Sequence, residues 1–314
     1  MFFSYLNIIS ILISIFFNHK TNMENDKMEL YEYLHFDEED PIIIEHETKE
    51  IQHSNSIERN PNQKDEKKSE EENSKRIKEI EKLTQEMTSN SFEQLKKELL
   101  EKQRESQKPT MYIPIITNLD YAAIFWMEKI NDPKYIYSRF LDVDVWRRKI
   151  NKSTWTGVAK GIIKNITPER MSQLYWNYDQ RKKWDTFYTI IDDLEYLPSG
   201  NKVSRTATWV PKMFTQRDYI HVRDVIETKE TCIGVYLPAE HEKAPIGMNG
   251  YIRGYVNISG YIFRKQGNDC LCTLMTQTDI SIPVPDFLIA KFISIAVSIY
   301  IRAMRKAAKE YGKK

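Results

Sequence analysis

Residues 285–312 read PDFLIAKFISIAVSIYIRAMRKAAKEYG, and how this stretch is read decides the fold. Pro285 and Asp286 stand where a helix starts well, and Gly312 stands where one ends. Leu288, Phe292, Ile295, Ile299 and Ala303 form one apolar stripe, and Ile289, Ile293, Ala296, Tyr300 and Met304 form an adjacent one. Together they make an arc wider than a surface helix needs. A membrane span is the first alternative. Lys291 interrupts the run early, Arg302, Arg305 and Lys306 end it, and the uncharged segment 292–301 is about half the ~20 residues that a span requires. The pattern predicts a long terminal helix gripped by a curved antiparallel sheet, one stripe facing core and the other a cavity.

Working back toward the N-terminus, strand-like runs fall at 143–150, 154–163, 190–197, 203–210, 219–228, 233–237, 250–256, 260–266 and 270–282. Turn signals separate them, such as Pro198-Ser199-Gly200-Asn201 and Gln266-Gly267-Asn268-Asp269. One helix is predicted from Pro168 to about Lys183. Another, capped by Asn118 or Asp120, carries Tyr121, Ile124, Phe125 and Ile130. The packed α+β domain therefore spans residues 110–314. Residues 21–109 are dense in charges of both signs and read as a largely disordered arm, a spacer or docking segment. Within it, Ile77, Ile80, Leu83 and Met87 mark short, weakly amphipathic helices, and Ser91 with Gln94 makes a possible capping box. Residues 1–20 hold the apolar run Phe2–Phe17, whose length suits a signal peptide or signal anchor. No Lys or Arg precedes it and no small-residue cleavage site follows. This reading directs the chain to the secretory pathway, for secretion or an extracytoplasmic compartment.

Composition narrows the function classes. The chain has 46 Lys+Arg against 45 Asp+Glu, a balance without the basic footprint of a nucleic-acid partner. It has only 10 glycines and none of the Gly-rich phosphate-binding or nucleophile-elbow motifs. Three cysteines, Cys232, Cys270 and Cys272, make neither a disulfide framework nor a zinc site, and read as buried small apolar residues. No metal and no cofactor is called for. After residue 110 the histidines are His221 and His241, and neither is paired in sequence with a nucleophile.

Three segments carry a resemblance: Arg181-Lys182-Lys183-Trp184-Asp185, then Gln216-Arg217-Asp218-Tyr219-Ile220-His221-Val222-Arg223, then Gly250-Tyr251-Ile252-Arg253 with Ser259-Gly260-Tyr261. In order and spacing they resemble landmarks of the START (StAR-related lipid transfer) domain family, nearest to its phosphatidylcholine-carrying branch. The resemblance implies a helix-grip fold: a curved antiparallel sheet around the C-terminal helix, enclosing an apolar tunnel for one lipid. It implies that Arg181 and Tyr175 contact the lipid phosphate, and that Arg217 and Asp218 form a structural ion pair. On the residues alone, Arg181 could equally pair with Asp179 or Asp185. Tyr219 matches one ring of a choline cage, while the other two cage positions fall on Thr206 and Asn257, neither aromatic. Trp209 and Tyr255 lie nearby in sequence. An incomplete cage predicts broad headgroup specificity that includes phosphatidylcholine.

The loop 209–216 places Lys212, Met213 and Phe214 at a gate or membrane contact, or packed over the tunnel mouth; Pro283 and Pro285 mark a second hinge. Leu288, Phe292, Ile295 and Ile299 belong to the lid helix. The expected function is non-enzymatic phospholipid transfer, with the phospholipid as cargo and a transient partnership with membrane surfaces. One alternative is a lipid sensor whose N-terminal arm recruits a protein partner. The other is a helix-grip enzyme using His221 or a tunnel tyrosine as base.

Overall fold

Alternation of side chains gives the chain after residue 130 its strands, and turn chemistry sets where they reverse. A computed structural model describes residues 63–105, 111–130, 133–151, 154–208, 215–279 and 286–311. In chain order it contains α1 (Gln63–Glu86), α2 (Ser89–Glu105), α3 (Asn118–Glu128), β1 (Ile136–Phe140), β2 (Val143–Lys149) and β3 (Thr154–Ile163). Then come α4 (Pro168–Trp176), α5 (Tyr178–Trp184), β4 (Tyr188–Tyr196), β5 (Lys202–Thr208), β6 (Arg217–Glu227) and β7 (Thr231–Pro238). Last are β8 (Ile252–Arg253), β9 (Ser259–Gln266), β10 (Asp269–Asp279) and α6 (Asp286–Tyr311).

The strands form one sheet in the order β1-β2-β3-β10-β9-β7-β6-β5-β4, with β8 paired to β6. Helices α4 and α5 carry the chain from β3 across to the far edge at β4. A meander brings it back, and β10 pairs with both β9 and β3, from Thr154↔Asp279 to Ile163↔Cys270. Each strand divides its side chains between two faces. Ile233, Val235 and Leu237 of β7, with Ile220 and Val222 of β6, pack under Tyr121, Ile124 and Phe125 of α3. Cys232 and Tyr236, with Tyr261 and Phe263 of β9, point the other way, into a core shared with Tyr300, Ile301 and Met304 of α6. Helix α6 lies over β1, β2 and β3 and against α4 and α5. It can approach β3 closely because Gly161 faces it: a Cβ there would stand 3.0 Å from Ile301 Cγ2. Among the described residues, no helix is long and apolar enough to cross a membrane.

Four expectations change. The helix expected over 168–183 is two, because Asn177 leaves the helical conformation (φ −77°, ψ 110°) and accepts from the Asp179 and Gln180 N–H groups, capping α5. The run 250–256 yields only the two-residue β8, since Asn249 and Gly250 both turn the backbone to positive φ. Strand β1 is additional. It joins β2 through Leu141 and Asp142, both at positive φ, a hairpin turn written without the usual glycine. The fourth change concerns the arm. Residues 63–105 form two helices of 24 and 17 residues, and Ile77, Ile80, Phe92 and Leu99 are buried in the α3 core. Phe92 stacks on Trp126 at 4.5 Å, and the Arg76 Nε donates to Asn118. The described residues from Lys67 onward belong to one compact unit. The Phe2–Phe17 run lies outside the described residues.

Candidate functional site

The break at Asn177 aims α5 so that its second turn enters the α6 face. Arg181 is 2% exposed. Its Nε donates to Asp185 Oδ2 (2.8 Å) and its Nη2 to the Tyr300 hydroxyl (2.7 Å), which in turn donates to the same carboxylate oxygen (2.8 Å). The Asp185 Oδ1 accepts from the Phe187 N–H, fixing the carboxylate. Aromatic rings surround the guanidinium: Tyr175 at 4.3 Å, Tyr188 at 4.8 Å and Tyr178 at 5.6 Å. Burial works to lower the Arg181 pKa, but Tyr300, Tyr175 and Asp185 outweigh it and hold the group charged. A buried guanidinium is tolerated here because a carboxylate, a hydroxyl and π faces replace its water. Nη1 makes no hydrogen bond among the described residues.

A second guanidinium stands behind the first. Arg223 of β6 donates to Ser204 (2.8 Å), the Trp176 carbonyl (2.7 Å) and Asp193 (2.5 Å), and lies 3.5 Å from the Tyr178 ring centroid. Between the two arginines, His221 meets the Tyr178 hydroxyl at 3.2 Å and packs edge-on against Tyr236. Burial first, then Arg223 and Arg181, pull the His221 pKa down to about 3. The imidazole is neutral at ordinary pH and too weak a base for proton abstraction. Tyr175, Tyr188, Tyr236 and Tyr300 are all pushed up, chiefly by burial, and stay protonated. The site is a charge-balanced polar end set among aromatic rings. Its chemistry is recognition by hydrogen bonds and π faces.

Residues 124–314 match the START domain model. The chain belongs to the START domain family. The crystal structure of human STARD10 superposes with a TM-score of 0.57 at 18% identity, over 64% of this chain and 83% of its own. Human StAR-related lipid transfer protein 5 superposes with 0.54 at 20%, over 62% of this chain and 96% of its own. Likeness at such identity establishes the helix-grip fold alone. No curated protein sequence matches the chain.

Within the START fold, the structure brings Arg181 and Tyr175 together, with Asp185 rather than Asp179 as the acidic partner. Thr206 and Tyr219 are cross-strand neighbours on the α6 face, and both are buried. The Tyr219 ring rests on Gly254, where a Cβ would come within 2.3 Å of it. Asn257 is placed elsewhere. It donates to Gln277, which donates to Thr156, and Gln277 alternates with Met275 on the α3 side. Tyr255 is half-buried. Trp209, Lys212, Met213, Phe214, Pro283 and Pro285 lie outside the described residues, as do the side chains of Leu288 and Phe292; Ile295 is buried and Ile299 half-buried in α6.

The ion pair expected between Arg217 and Asp218 is a correction. Consecutive strand residues point to opposite faces, so Asp218 turns to the α3 side and pairs with Arg205 (2.9 Å) and Arg253 (3.0 Å). Arg253 also pairs with Glu240 and donates to the Ala244 carbonyl (2.7 Å). Arg217 donates to the Thr215 carbonyl (2.7 Å). Sequence reasoning missed Asp193, Tyr188, Tyr236 and the hydroxyl of Tyr300 as members of the polar end. Period-two alternation from His221 does place Arg223 on the α6 face, but no spacing links either residue to α5 or α6.

Proposed function

We propose that this START domain binds one phospholipid between α6 and the facing side of the sheet and carries it between membranes. The observation that carries the reading is Arg181: buried, held charged, locked by Asp185 and Tyr300, with Nη1 still able to donate. A phosphodiester oxygen satisfies that donor through a charge-assisted hydrogen bond. Because Asp185 already balances Arg181, the phosphate is recognised without a strong demand on headgroup charge. With Asn257 turned away, the headgroup end lacks a full aromatic cage, which supports broad specificity that includes phosphatidylcholine. Acyl chains supply the driving force, at ~0.8 kcal/mol per buried methylene. The name of one solved relative, human StAR-related lipid transfer protein 5, agrees with lipid handling. The enzymatic alternative is disfavoured because His221 is held far less basic than a free imidazole and is engaged by Tyr178, and because the tunnel tyrosines are pushed up and stay protonated. The Phe2–Phe17 run, read as a signal, supports transfer in an extracytoplasmic compartment.

The test replaces the ion pair together, since Arg181→Ala alone leaves Asp185 buried and uncompensated. In the double variant Arg181→Gln/Asp185→Asn, phospholipid transfer between vesicles drops roughly tenfold or more, while fatty-acid uptake persists. Equal loss for both ligands would assign the pair to folding instead.

A further inference from the structure

Buried polar atoms in folded proteins are hydrogen-bonded, so one that is not calls for a partner the chain does not supply. Buried tyrosines crowd the α6 face, and several of their hydroxyls are paired. Tyr300 meets Asp185, Tyr178 meets His221, and Tyr261 meets Ser172 at 3.3 Å. Tyr236 of β7 is different: it is 9% exposed, and its hydroxyl is shut off from solvent without a hydrogen-bond partner among the described residues. The ring has little freedom to seek one: it lies edge-on to His221 at 5.2 Å and tilted against Tyr261 at 6.2 Å. Burial and the neighbouring Tyr175, Tyr261 and Tyr178 keep the phenol protonated, against the pull of the Arg181 charge, so it is a donor. The same face holds Arg181, which hydrogen-bonds through Nε and Nη2 and has Nη1 left to donate. A buried phenol donor and a guanidinium on one side of the sheet match a ligand with several acceptor oxygens.

Resting on the phospholipid reading, we infer that the Tyr236 hydroxyl is a second polar anchor for the cargo. It donates a hydrogen bond to an acceptor oxygen of the glycerol-phosphate region, either the phosphodiester or an ester carbonyl. Neither the alternation of β7 nor the landmarks of the family single this residue out; its unpaired, buried hydroxyl does.

The variant Tyr236→Phe keeps the ring and removes only the donor. The full chain is assayed for retention of pyrene-labelled phosphatidylcholine extracted from vesicles, in diester and diether forms. Retention is expected to fall roughly tenfold, while the lipid-free variant melts at the same or a higher temperature, because an unpaired buried group has been removed. A loss with both lipids identifies the phosphodiester as acceptor, and a loss with the diester alone identifies the carbonyl. Unchanged retention of both lipids overturns the inference. So does a loss matched by a lower melting temperature of the lipid-free protein, the signature of a hydroxyl needed for folding. A wild-type chain that extracts neither lipid takes down the phospholipid reading itself, a result distinct from the other two.

Discussion

His221 sits on β6 between the Arg223 and Arg181 guanidinium groups, with the Tyr178 hydroxyl, the Tyr236 ring and, across the strand pair, Ser204 as neighbours. The imidazole is therefore neutral in the folded state down to about pH 3, against 6.5 when exposed. Between those values the unfolded chain binds the extra proton, so this contribution to stability is complete above pH 6.5 and drains away as pH falls toward 3. The expected loss is about 2 kcal/mol between pH 7 and pH 5. In urea unfolding, His221→Gln should flatten that part of the profile, whereas carboxylate contributions are common to both proteins and cancel. Identical profiles for the two proteins would mean that His221 charges freely in the native state. The same residue shows how much was legible beforehand. Alternation puts His221, Tyr219 and Arg223 on one face of a strand, but burial between two charges is a property of the assembled interior.

At the scale of elements, α1 and α2 behave as part of the domain. Ile80 is fully buried, the Thr84 hydroxyl donates to the Ile80 carbonyl within α1, and the Asn73 amide donates to the Glu227 carbonyl at the end of β6. Ile80→Ala should then cost about 2–5 kcal/mol of unfolding free energy, the range for emptying a packed site. A change below about 0.5 kcal/mol, the level of exposed positions, would return the helix to the status of a loose arm. The periodicity of Ile77, Ile80, Leu83 and Met87 was visible in the sequence, but a dense mix of charges hid its consequence. Such a pattern is equally that of a solvated helix, and only the apolar face of α3 and the sheet gives it something to bury. The α4–α5 break follows the same logic: Asn177 is a modest helix former, and its role as a cap emerges because the chain must turn Arg181 inward.

Across the whole molecule, the sheet closes its α6 face over all three thiols. Cys232, Cys270 and Cys272 are fully buried, and burial pushes Cys270 up to about 12 and the other two upward as well. Thiolate is the reactive form, so alkylation at pH 8 should proceed only through opening of the fold. All three should label together, at a rate set by unfolding and slowed by bound phospholipid; labelling as fast as a free peptide thiol would mean the α6 face stands open. The burial of these thiols was foreseen from residue type. The grip of a sheet on a terminal helix was equally foreseeable, because helix and strand periods are local and are written along the chain. By itself the sequence determined the long α6, most of the strands, the START landmarks and the candidacy of Arg181. Tertiary structure alone decided that Arg181 is locked to Asp185 by a tyrosine 119 residues away, that Asp218 turns from Arg217 to Arg205 and Arg253, and that Tyr236 holds an unpaired donor. The physical reason is that hydrogen bonds and ion pairs between distant segments have no period in the sequence; they exist once sheet closure brings their partners into reach.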